Sequence, residues 1–301
     1  MKDTLNKLKN VERLAAAGVL SRFLAHPVKY VNAMTLLKFI YPFTRKGSLR
    51  SAELFWGDTM KVLLPAATDI YLTGGKTHES ETRLAKYLIK NLAEGDTFLD
   101  IGAHFGYFTL LAAHLVGNIG KVHGIEPAKG TFDVLKDNVS GKGNINVHHN
   151  AVSDKEETVS FHEFPVLYSE YNAMNVDKFA QEEWMQKHRP EKTEVQAVTI
   201  DGFIRDKKIS PAIIKIDVEG AEEQAILGGK ETWAGISPIV IMEYLSDEGV
   251  DTPYGRAEKI LKENGYKSYV ITKEGETEQA DDILSVMSRM GSTSENIVFK
   301  R

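Results

Sequence analysis

Residues 98–115, FLDIGAHFGYFTLLAAHL, place an acid and two glycines where a predicted buried strand is followed by a predicted helix. Gly102 and Gly106 allow the backbone to approach a ligand closely, because no Cβ stands in the way. The first turn of the following helix presents N–H groups to an electron-rich ligand. Asp100, at the end of the strand, can accept hydrogen bonds from a cation or a hydroxyl group. The segment therefore predicts a nucleotide-binding slot.

The spacing of these residues indicates which nucleotide would bind. A dinucleotide fingerprint needs three glycines, G-x-G-x-x-G, on which a pyrophosphate rests, but Ala103 and His104 fill this interval. An aspartate ahead of the first glycine instead suits a ligand with an ammonium group. The next predicted strand, KVHGIEP, ends at Glu126, twenty residues after Gly106, where a carboxylate can bind both hydroxyls of a ribose. Together these features predict a site for S-adenosylmethionine. Two alternatives stay open: the glycines also fit a plain turn, and Glu126 also fits an acid that stabilises a helix N-terminus.

The elements that must hold these residues alternate between strands and helices from His78 onwards. The predicted strands are TFLDIGA, KVHGIEP, NINVHHNAVSD, AIIKIDVEG, PIVIMEYL and YKSYVITKE, most of them separated by helices. Such alternation produces right-handed crossovers, and the apolar runs FLDI, AIIKI and PIVIM are typical of strands covered on both faces. The final segment, ENIVFKR, follows no crossover helix and is expected to pair antiparallel. We therefore predict an α/β fold with a doubly wound, mostly parallel sheet.

Residues 1–50 differ from the rest of the chain in charge. They contain ten Lys or Arg and two acids, a net charge of +8, so residues 51–301 carry −13. The apolar spacing of Leu5, Leu8 and Val11 predicts a helix, and we divide the chain into a basic helical extension, residues 1–50, and a main domain, residues 51–301. A basic amphipathic segment can hold an anionic membrane surface or a polyanionic substrate, or it can be a solvated helical cap.

The composition excludes several classes of protein. There is no cysteine, which rules out thiolate nucleophiles, disulfides and thiolate metal sites. No run of eighteen apolar residues is present, so we expect no membrane span, and the N-terminus lacks the pattern of a secretory signal. We expect a cytoplasmic protein, with peripheral membrane contact through residues 1–50 as an alternative. The acidic main domain disfavours nucleic acid as a partner, because neutralising phosphates needs clustered Lys and Arg.

Several longer stretches carry a family resemblance. They are WGDTMKVLLP, DIY, FLDIGAHFGYFTL, GIEPAKGTFDVLKDNV, NAVSD, VTIDGFI, IIKIDVEGAEEQAILGG and PIVIMEY, and IKIDVEGAE is the most specific. On these stretches the sequence resembles the FkbM family of S-adenosylmethionine-dependent methyltransferases. The resemblance implies a class I, Rossmann-like fold with a seven-stranded sheet, and methyl transfer to a hydroxyl oxygen of a sugar, a polyketide or a related metabolite. His104 departs from the family, which usually has asparagine there.

The resemblance also implies roles for single residues. The methionine part of the donor would be lined by Asp100, Gly102, Ala103, His104, Gly106 and Tyr107. The ribose would bind Glu126 and Pro127, and the adenine edge would lie against Asn150 and Ala151. Asp217 would face the sulfonium and Glu219 the acceptor.

Methyl transfer is an in-line displacement at a positively charged sulfur, so the protein must align acceptor and methyl group and remove a proton. The candidates for this chemistry are Asp217, Glu219, Glu243 and His104. We expect Asp217 to position donor and acceptor and Glu219 or Glu243 to accept the proton, with His104 as an alternative base. Glu219 would equally stabilise the N-terminus of the following helix. The three carboxylates leave a magnesium site open, but their spacing does not establish one, and we assign no residue to a metal.

Residues 163–192 are predicted to be an insertion that covers the acceptor site. Their aromatic, imidazole and amide side chains suit sugar rings, which have apolar faces and hydroxyl edges. These side chains are Tyr168, Tyr171, Asn172, Trp184 and His188. The same segment would also suit simple packing against the sheet.

The function that we expect is O-methylation of a hydroxyl on a glycan or another small metabolite. Methylation of nitrogen on a small molecule or a protein is an alternative. Methylation of nucleobase amino groups is disfavoured, because the sequence has IDVEG where an Asn/Asp-Pro-Pro-aromatic stretch would be expected. A second alternative is a protein that docks on a membrane or a polyanion through residues 1–50 and whose nucleotide slot is non-catalytic.

Overall fold

A computed structural model describes residues 2–176, 183–246 and 251–301. The strands in this part of the chain are β1 (Ser48–Glu53), β2 (Thr59–Leu64), β3 (Thr97–Ile101), β4 (Lys121–Ile125), β5 (Ile145–His148), β6 (Ala151–Val152), β7 (Thr158–Glu163), β8 (Glu191–Val198), β9 (Ile213–Ile216), β10 (Ile239–Leu245), β11 (Lys267–Ile271), β12 (Thr277–Gln279) and β13 (Ser294–Lys300).

The α-helices are α1 (Lys2–Ala16), α2 (Val19–Ala25), α3 (Pro27–Thr35), α4 (Tyr41–Thr44), α5 (Thr68–Thr73), α6 (Glu79–Asn91), α7 (Tyr107–Val116), α8 (Lys129–Asn138), α9 (Glu183–Lys187), α10 (Ile200–Lys207), α11 (Glu222–Leu227), α12 (Lys230–Ala234), α13 (Pro253–Glu263) and α14 (Ile283–Met290). A π-helical turn (Leu36–Ile40) joins α3 to α4, and a 3-10 helix (Val166–Tyr171) follows β7. No helix in the described ranges is long and apolar enough to cross a membrane.

The central sheet has the strand order β12-β11-β13-β10-β9-β3-β4-β5. The neighbours from β10 to β5 are parallel, whereas β13 lies antiparallel between β10 and β11, as predicted for the final segment. The three-residue strand β12 extends the sheet at one edge. This topology confirms the predicted α/β class with a mostly parallel sheet.

Alternating side chains of the central strands enter two different hydrophobic clusters. In β9, Ile213 belongs to one cluster and Ile214 to the other. In β10, Ile241 and Met242 are divided in the same way. Successive strand residues point to opposite faces of a sheet, so the sheet has an apolar layer on each side. This arrangement is the doubly wound architecture, and it explains the continuous apolar runs in the sequence.

Two elements differ from the sequence-based expectation. NINVHHNAVSD is not one strand: β5 pairs with β4, whereas β6 pairs with β8 in a separate small sheet of order β6-β8-β7. The chain leaves the central sheet at His149, whose Nε2 lies 2.9 Å from the carbonyl oxygen of Pro127, and at Asn150, whose Nδ2 donates to the carbonyl of Gln196 at 3.0 Å. The predicted helix AEEQAILGGKETWAG is likewise two helices, α11 and α12, separated by its glycine pair.

The N-terminal helices pack on the main domain. Leu8 and Val11 of α1 are buried in the same hydrophobic cluster as Leu84 and Leu88 of α6. By contrast, α2 has no buried residue. The division of the chain at residue 50 stays a prediction. The predicted insertion is described except for residues 177–182, which lie outside the described ranges.

Candidate active site

A cleft with a cavity volume of about 150 Å³ lies at the carboxyl ends of β3, β4, β9 and β10. Gly102 directly follows β3, and its backbone has φ +78°. A Cβ at this position would lie 1.7 Å from the carbonyl oxygen of Asp217, the residue after β9. Only glycine therefore allows these two strand ends to approach each other so closely. The N–H groups of Gly102 and Ala103 also donate to the carbonyl of Ile125 at 3.0 Å each, which fixes the loop against the end of β4.

Glu126 follows β4, and its carboxylate is held by backbone. Its side chain is buried; one carboxylate oxygen accepts from the N–H of His104 and the other from the N–H of Ala128, both at 2.9 Å. Burial raises the pKa of Glu126 to about 7, and these hydrogen bonds oppose that shift. A carboxylate has about four lone-pair positions, so acceptor capacity remains on the side that borders the cleft. Binding of a ribose diol by Glu126 stays a prediction.

His104 adopts a left-handed backbone conformation with φ +49°. This is a region in which histidine and asparagine are enriched among non-glycine residues. Its Nε2 lies 3.1 Å from Oγ of Ser169, in the 3-10 helix above the cleft. Burial, with a further contribution from the positive charge of Lys76, lowers the pKa of His104 to about 3. The imidazole is therefore neutral at physiological pH and a weak proton acceptor.

Behind the cleft wall, a buried lysine joins two aspartates. Nζ of Lys215, in the middle of the apolar strand β9, lies 3.1 Å from Oδ2 of Asp217 and 3.5 Å from Oδ1 of Asp100. Asp100 also accepts a hydrogen bond of 2.6 Å from Oγ1 of Thr109. Burial raises the pKa of Asp100, and Lys215 opposes that shift. Burial would also raise the pKa of Asp217, but the neighbouring lysines outweigh it and lower the pKa, so Asp217 is ionised.

Three carboxylates meet at the cleft end of β9 and β10. One oxygen each of Asp217, Glu219 and Glu243 lie within 4.8 Å of one another, and all three residues are partly buried. Glu219 has φ +54° in the turn that leads towards α11, and Glu243 accepts a hydrogen bond of 2.7 Å from Oγ of Ser294. Oxygen atoms in this arrangement can accept a proton or hold a divalent cation.

The chain matches the family model described as Methyltransferase FkbM domain over residues 100–268. The chain belongs to the FkbM methyltransferase family. The expected family is thereby confirmed, and the matched region is a methyltransferase domain whose methyl donor is S-adenosylmethionine. Among curated proteins, none matches the sequence.

Solved structures with a similar fold include other methyltransferases. The FkbM methyltransferase from Methylobacillus flagellatus KT is 14% identical, with 78% of this chain and 53% of that chain covered and a TM-score of 0.42. An O-methyltransferase from Thermotoga maritima is 13% identical over 85% of this chain and 78% of that chain, with a TM-score of 0.40. Aeropyrum pernix fibrillarin, solved with natively bound S-adenosyl-L-methionine, is 14% identical over 73% and 74%, with a TM-score of 0.40. The chain spans about half the length of the first of these proteins.

The cleft of this FkbM domain has two features that suit the donor. The carboxylate of Glu126 lines it, and Gly102 leaves room where a side chain would fill the turn. An apolar wall lies beside Asn150 where the adenine edge is predicted. This wall is formed by Ile125, Ala151, Val152, Phe161 and Met174.

The predicted site residues fall into two groups. Those that line the cleft are Gly102, His104, Glu126, Pro127, Asn150, Ala151, Asp217, Glu219 and Glu243. Four others lie outside its lining. Ala103 and Tyr107 border an adjoining smaller cavity, and Gly106 is the N-cap residue that precedes α7. Asp100, which is 1% exposed, faces Lys215. Direct contact of the donor or the acceptor with any residue of either group stays a prediction.

The structure adds residues that sequence reasoning missed. Lys76, in the loop before α6, forms an ion pair with Glu81, and both border the cleft. Glu170 and Ser169 approach from the 3-10 helix after β7. Of the five cover residues predicted to contact a sugar, only Asn172 lines the cleft. The rings of Tyr168 and Trp184 stack on each other at 4.7 Å instead.

Proposed function

We propose that the chain transfers a methyl group from S-adenosylmethionine to a hydroxyl oxygen of a sugar, a glycan or another hydroxylated secondary metabolite. The observation that carries the proposal is the carboxylate cluster of Asp217, Glu219 and Glu243 at the end of the cleft. A hydroxyl acceptor must lose a proton during transfer, and a carboxylate within hydrogen-bond reach can accept it. Location in the cytoplasm is part of this proposal.

The residues of the cluster have different roles in the proposed reaction. Asp217 is held ionised by Lys215 and fixed next to the backbone of Gly102, so it orients the reacting groups. Glu219 and Glu243 line the same cleft, each with a carboxylate oxygen within 4.8 Å of one of Asp217, and are the candidates for accepting the hydroxyl proton. Holding the acceptor oxygen and the methyl group in line supplies most of the remaining rate acceleration, because the aligned groups no longer need a bimolecular encounter.

The donor itself supplies the electrophilic methyl group when bound. On this chain, Glu126 would accept the ribose hydroxyls, and the turn at Gly102 would lie beside the amino-acid part. Asn150 and Ala151 would border the adenine. The charged pair of Lys76 and Glu81 and the carboxylate of Glu170 line the same cleft, so they are suited to orient a polar acceptor with several hydroxyls.

The atom that receives the methyl group tests the proposal. The purified chain is incubated with ¹³C-methyl S-adenosylmethionine and an extract of hydroxylated glycans and metabolites, and the ¹³C shift of the product methyl is read by NMR. We expect methyl carbon bound to oxygen. Methyl carbon bound only to nitrogen would contradict the proposal and favour N-methylation. A chain that binds the donor by calorimetry but labels nothing, with Glu126→Ala as the non-binding control, would favour a non-catalytic slot.

A further inference from the structure

A stretch near the N-terminus has an unusual balance of charge. Residues 13–52 contain seven Lys or Arg and no Asp or Glu. Glu12 and Glu53 are the acids that bound the stretch. We call residues 13–52 the basic layer.

The basic layer also exposes apolar side chains. Of the thirteen large hydrophobic residues that are exposed in the described part of the chain, nine belong to this layer. They are Val19, Leu20, Leu24, Val28, Val31, Phe39, Ile40, Phe43 and Leu49. Phe43 is 86% exposed and Val28 is 83% exposed. Contiguous exposed apolar surface on a soluble domain marks an interaction site, whereas single exposed residues do not.

Three of these exposed side chains, Val28, Val31 and Ile40, border one groove. Val28, Val31 and Phe39 recur at spacings of three and eight residues along α3 and the π-helical turn, which places them on one side of the helix. A groove beside this side is lined by Phe23 of α2 and by Ile40, together with Val28 and Val31. Arg50, whose Nη1 donates to the carbonyl of Leu49 at 2.8 Å, lines the same groove. A cationic side chain thus borders the apolar groove.

The opposite side of the layer is packed against the domain. Ala33, Leu36 and Tyr41 are buried, and the first two belong to the main hydrophobic cluster. The hydroxyl of Tyr41 accepts a hydrogen bond of 3.1 Å from the N–H of Leu167, in the 3-10 helix that carries Ser169 into the cleft. The layer is therefore anchored on the domain through its buried side, and Tyr41 joins it to the 3-10 helix that borders the cleft.

The positive charge of the basic layer indicates which partner would cover its apolar face, a second copy of the chain or an anionic lipid surface. In a symmetric dimer, the same patch of each copy meets its counterpart, and two stretches of +7 would repel each other. An anionic lipid surface is complementary in both respects: apolar side chains enter the acyl boundary, and Lys or Arg side chains lie among the headgroups. Attraction to such a surface amounts to about 1 kcal/mol, or about fivefold in affinity, for each basic residue close to it.

We propose that the basic layer docks on an anionic membrane surface, with the apolar residues of α2, α3 and the π-helical turn inserted at the headgroup level. The docking is peripheral and reversible. It goes beyond the proposed methyl transfer and does not depend on it, because the residues concerned lie outside the cleft.

Co-sedimentation of the full chain with vesicles tests the docking. Vesicles of phosphatidylcholine alone are compared with vesicles that also contain phosphatidylglycerol. We expect binding to the anionic vesicles only. Val28→Ser/Val31→Ser should weaken it by about tenfold or more, because serine has a helix propensity close to that of valine but no apolar side chain to insert. Lys38→Gln/Lys46→Gln should weaken it by about 25-fold, or about fivefold per charge.

Matched variants outside the layer serve as controls. Ile119→Ser removes an apolar side chain that is 73% exposed elsewhere on the surface, and Lys121→Gln/Lys267→Gln removes two exposed charges from the main domain. Both should sediment like the parent chain. Donor binding, measured by calorimetry, shows for each variant that the fold is intact. If the parent chain does not bind the donor, the proposed function is contradicted, but the docking proposal is not affected.

Three results would overturn the proposal. The first is the absence of anionic-vesicle binding by the parent chain. The second is binding that Val28→Ser/Val31→Ser leaves unchanged, which would indicate general attraction to polyanions. The third is a stable dimer, detected by analytical ultracentrifugation without lipid, that the same double variant dissociates, because the apolar face would then be covered by a second copy.

Discussion

Gly102 and the carbonyl oxygen of Asp217 are so close that a Cβ on residue 102 would lie 1.7 Å from that oxygen. The contact joins the turn after β3 to the end of β9, and therefore joins the predicted donor loop to the carboxylate cluster. It is a backbone contact, so no side-chain rotation can relieve a clash there. The geometry of the cleft depends on glycine at this position.

Gly102→Ala should weaken donor binding by about tenfold or more, equivalent to about 1.4 kcal/mol, and lower the thermal midpoint. The added methyl group must displace backbone, and a left-handed φ costs a non-glycine residue about 1–2 kcal/mol. Calorimetry and thermal unfolding measure the two effects. Gly141→Ala, also at positive φ but with no atom within 4 Å of the added Cβ, separates the two causes. Equal losses in both variants would show that the contact with Asp217 is unimportant.

The affinity for S-adenosylmethionine should rise with pH up to about 7 and level off above it. Glu126 has a folded pKa of about 7, above its ordinary 4.5, and the ionised carboxylate is the better acceptor for two hydroxyls. Below pH 7 the affinity should fall by up to about tenfold per unit, because binding then requires loss of a proton. Isothermal titration from pH 5.5 to 8.5 would measure this, and Glu126→Gln should remove the dependence.

The free energy of unfolding should change with pH in the direction opposite to the donor affinity. Because burial disfavours ionised Glu126, the folded chain binds this proton more tightly than the unfolded chain between pH 4.5 and 7. The free energy of unfolding should fall by up to about 3 kcal/mol over that window. Denaturant unfolding of parent and Glu126→Gln at several pH values isolates the contribution; identical pH slopes in the two chains would show that the carboxyl group is not responsible.

The sequence predicts those site residues that local geometry fixes. Gly102 and Glu126 directly follow strands, and the carboxyl ends of parallel strands meet at one edge of the sheet. Lys76 and Glu170 could not be placed, because long-range packing brings a loop and the 3-10 helix over this edge. The sequence does indicate a role for Lys215, because a lysine within the apolar run IIKI needs a buried partner. The partners themselves come from other parts of the fold.

Lys215→Met should lower the free energy of unfolding by about 3–5 kcal/mol, because it leaves a buried carboxylate without its counter-ion. In Lys215→Met/Asp100→Asn that charge is removed as well, so the double variant should be more stable than Lys215→Met. Denaturant unfolding of the single and double variants forms a double-mutant cycle. Lys267→Met, at an exposed site, should change stability by less than about 0.5 kcal/mol. An additive cycle would mean that the 3.5 Å approach of Lys215 and Asp100 has no energetic role.

Replacing the residue that accepts the hydroxyl proton should lower kcat by about 10²–10⁴-fold without changing donor affinity. The two candidates are tested separately as Glu219→Gln and Glu243→Gln, with the exposed Glu278→Gln as a matched control. Rates at saturating donor and acceptor are compared with calorimetric donor binding. If both glutamates are dispensable, neither is the base.

A divalent cation held by Asp217, Glu219 and Glu243 would give a different pattern. A chelator would then abolish activity, added Mg²⁺ would restore it, and both glutamine variants would weaken the Mg²⁺ response. With a carboxylate base and no cation, activity should persist in the chelator. The two experiments together distinguish the proton acceptor from the metal ligand.

His104→Asn should lower kcat by less than about tenfold, whereas loss of a general base costs about 10²–10⁴-fold. The imidazole has a pKa of about 3, so it is uncharged at neutral pH and has little affinity for a second proton. Asparagine tolerates the left-handed backbone at this position, and the substitution mainly removes the contact with Ser169. Steady-state rates from pH 6 to 9 should therefore keep the same profile in both chains. A large fall in kcat with an intact donor affinity would instead identify His104 as the base, and the carboxylates would then serve to orient the acceptor.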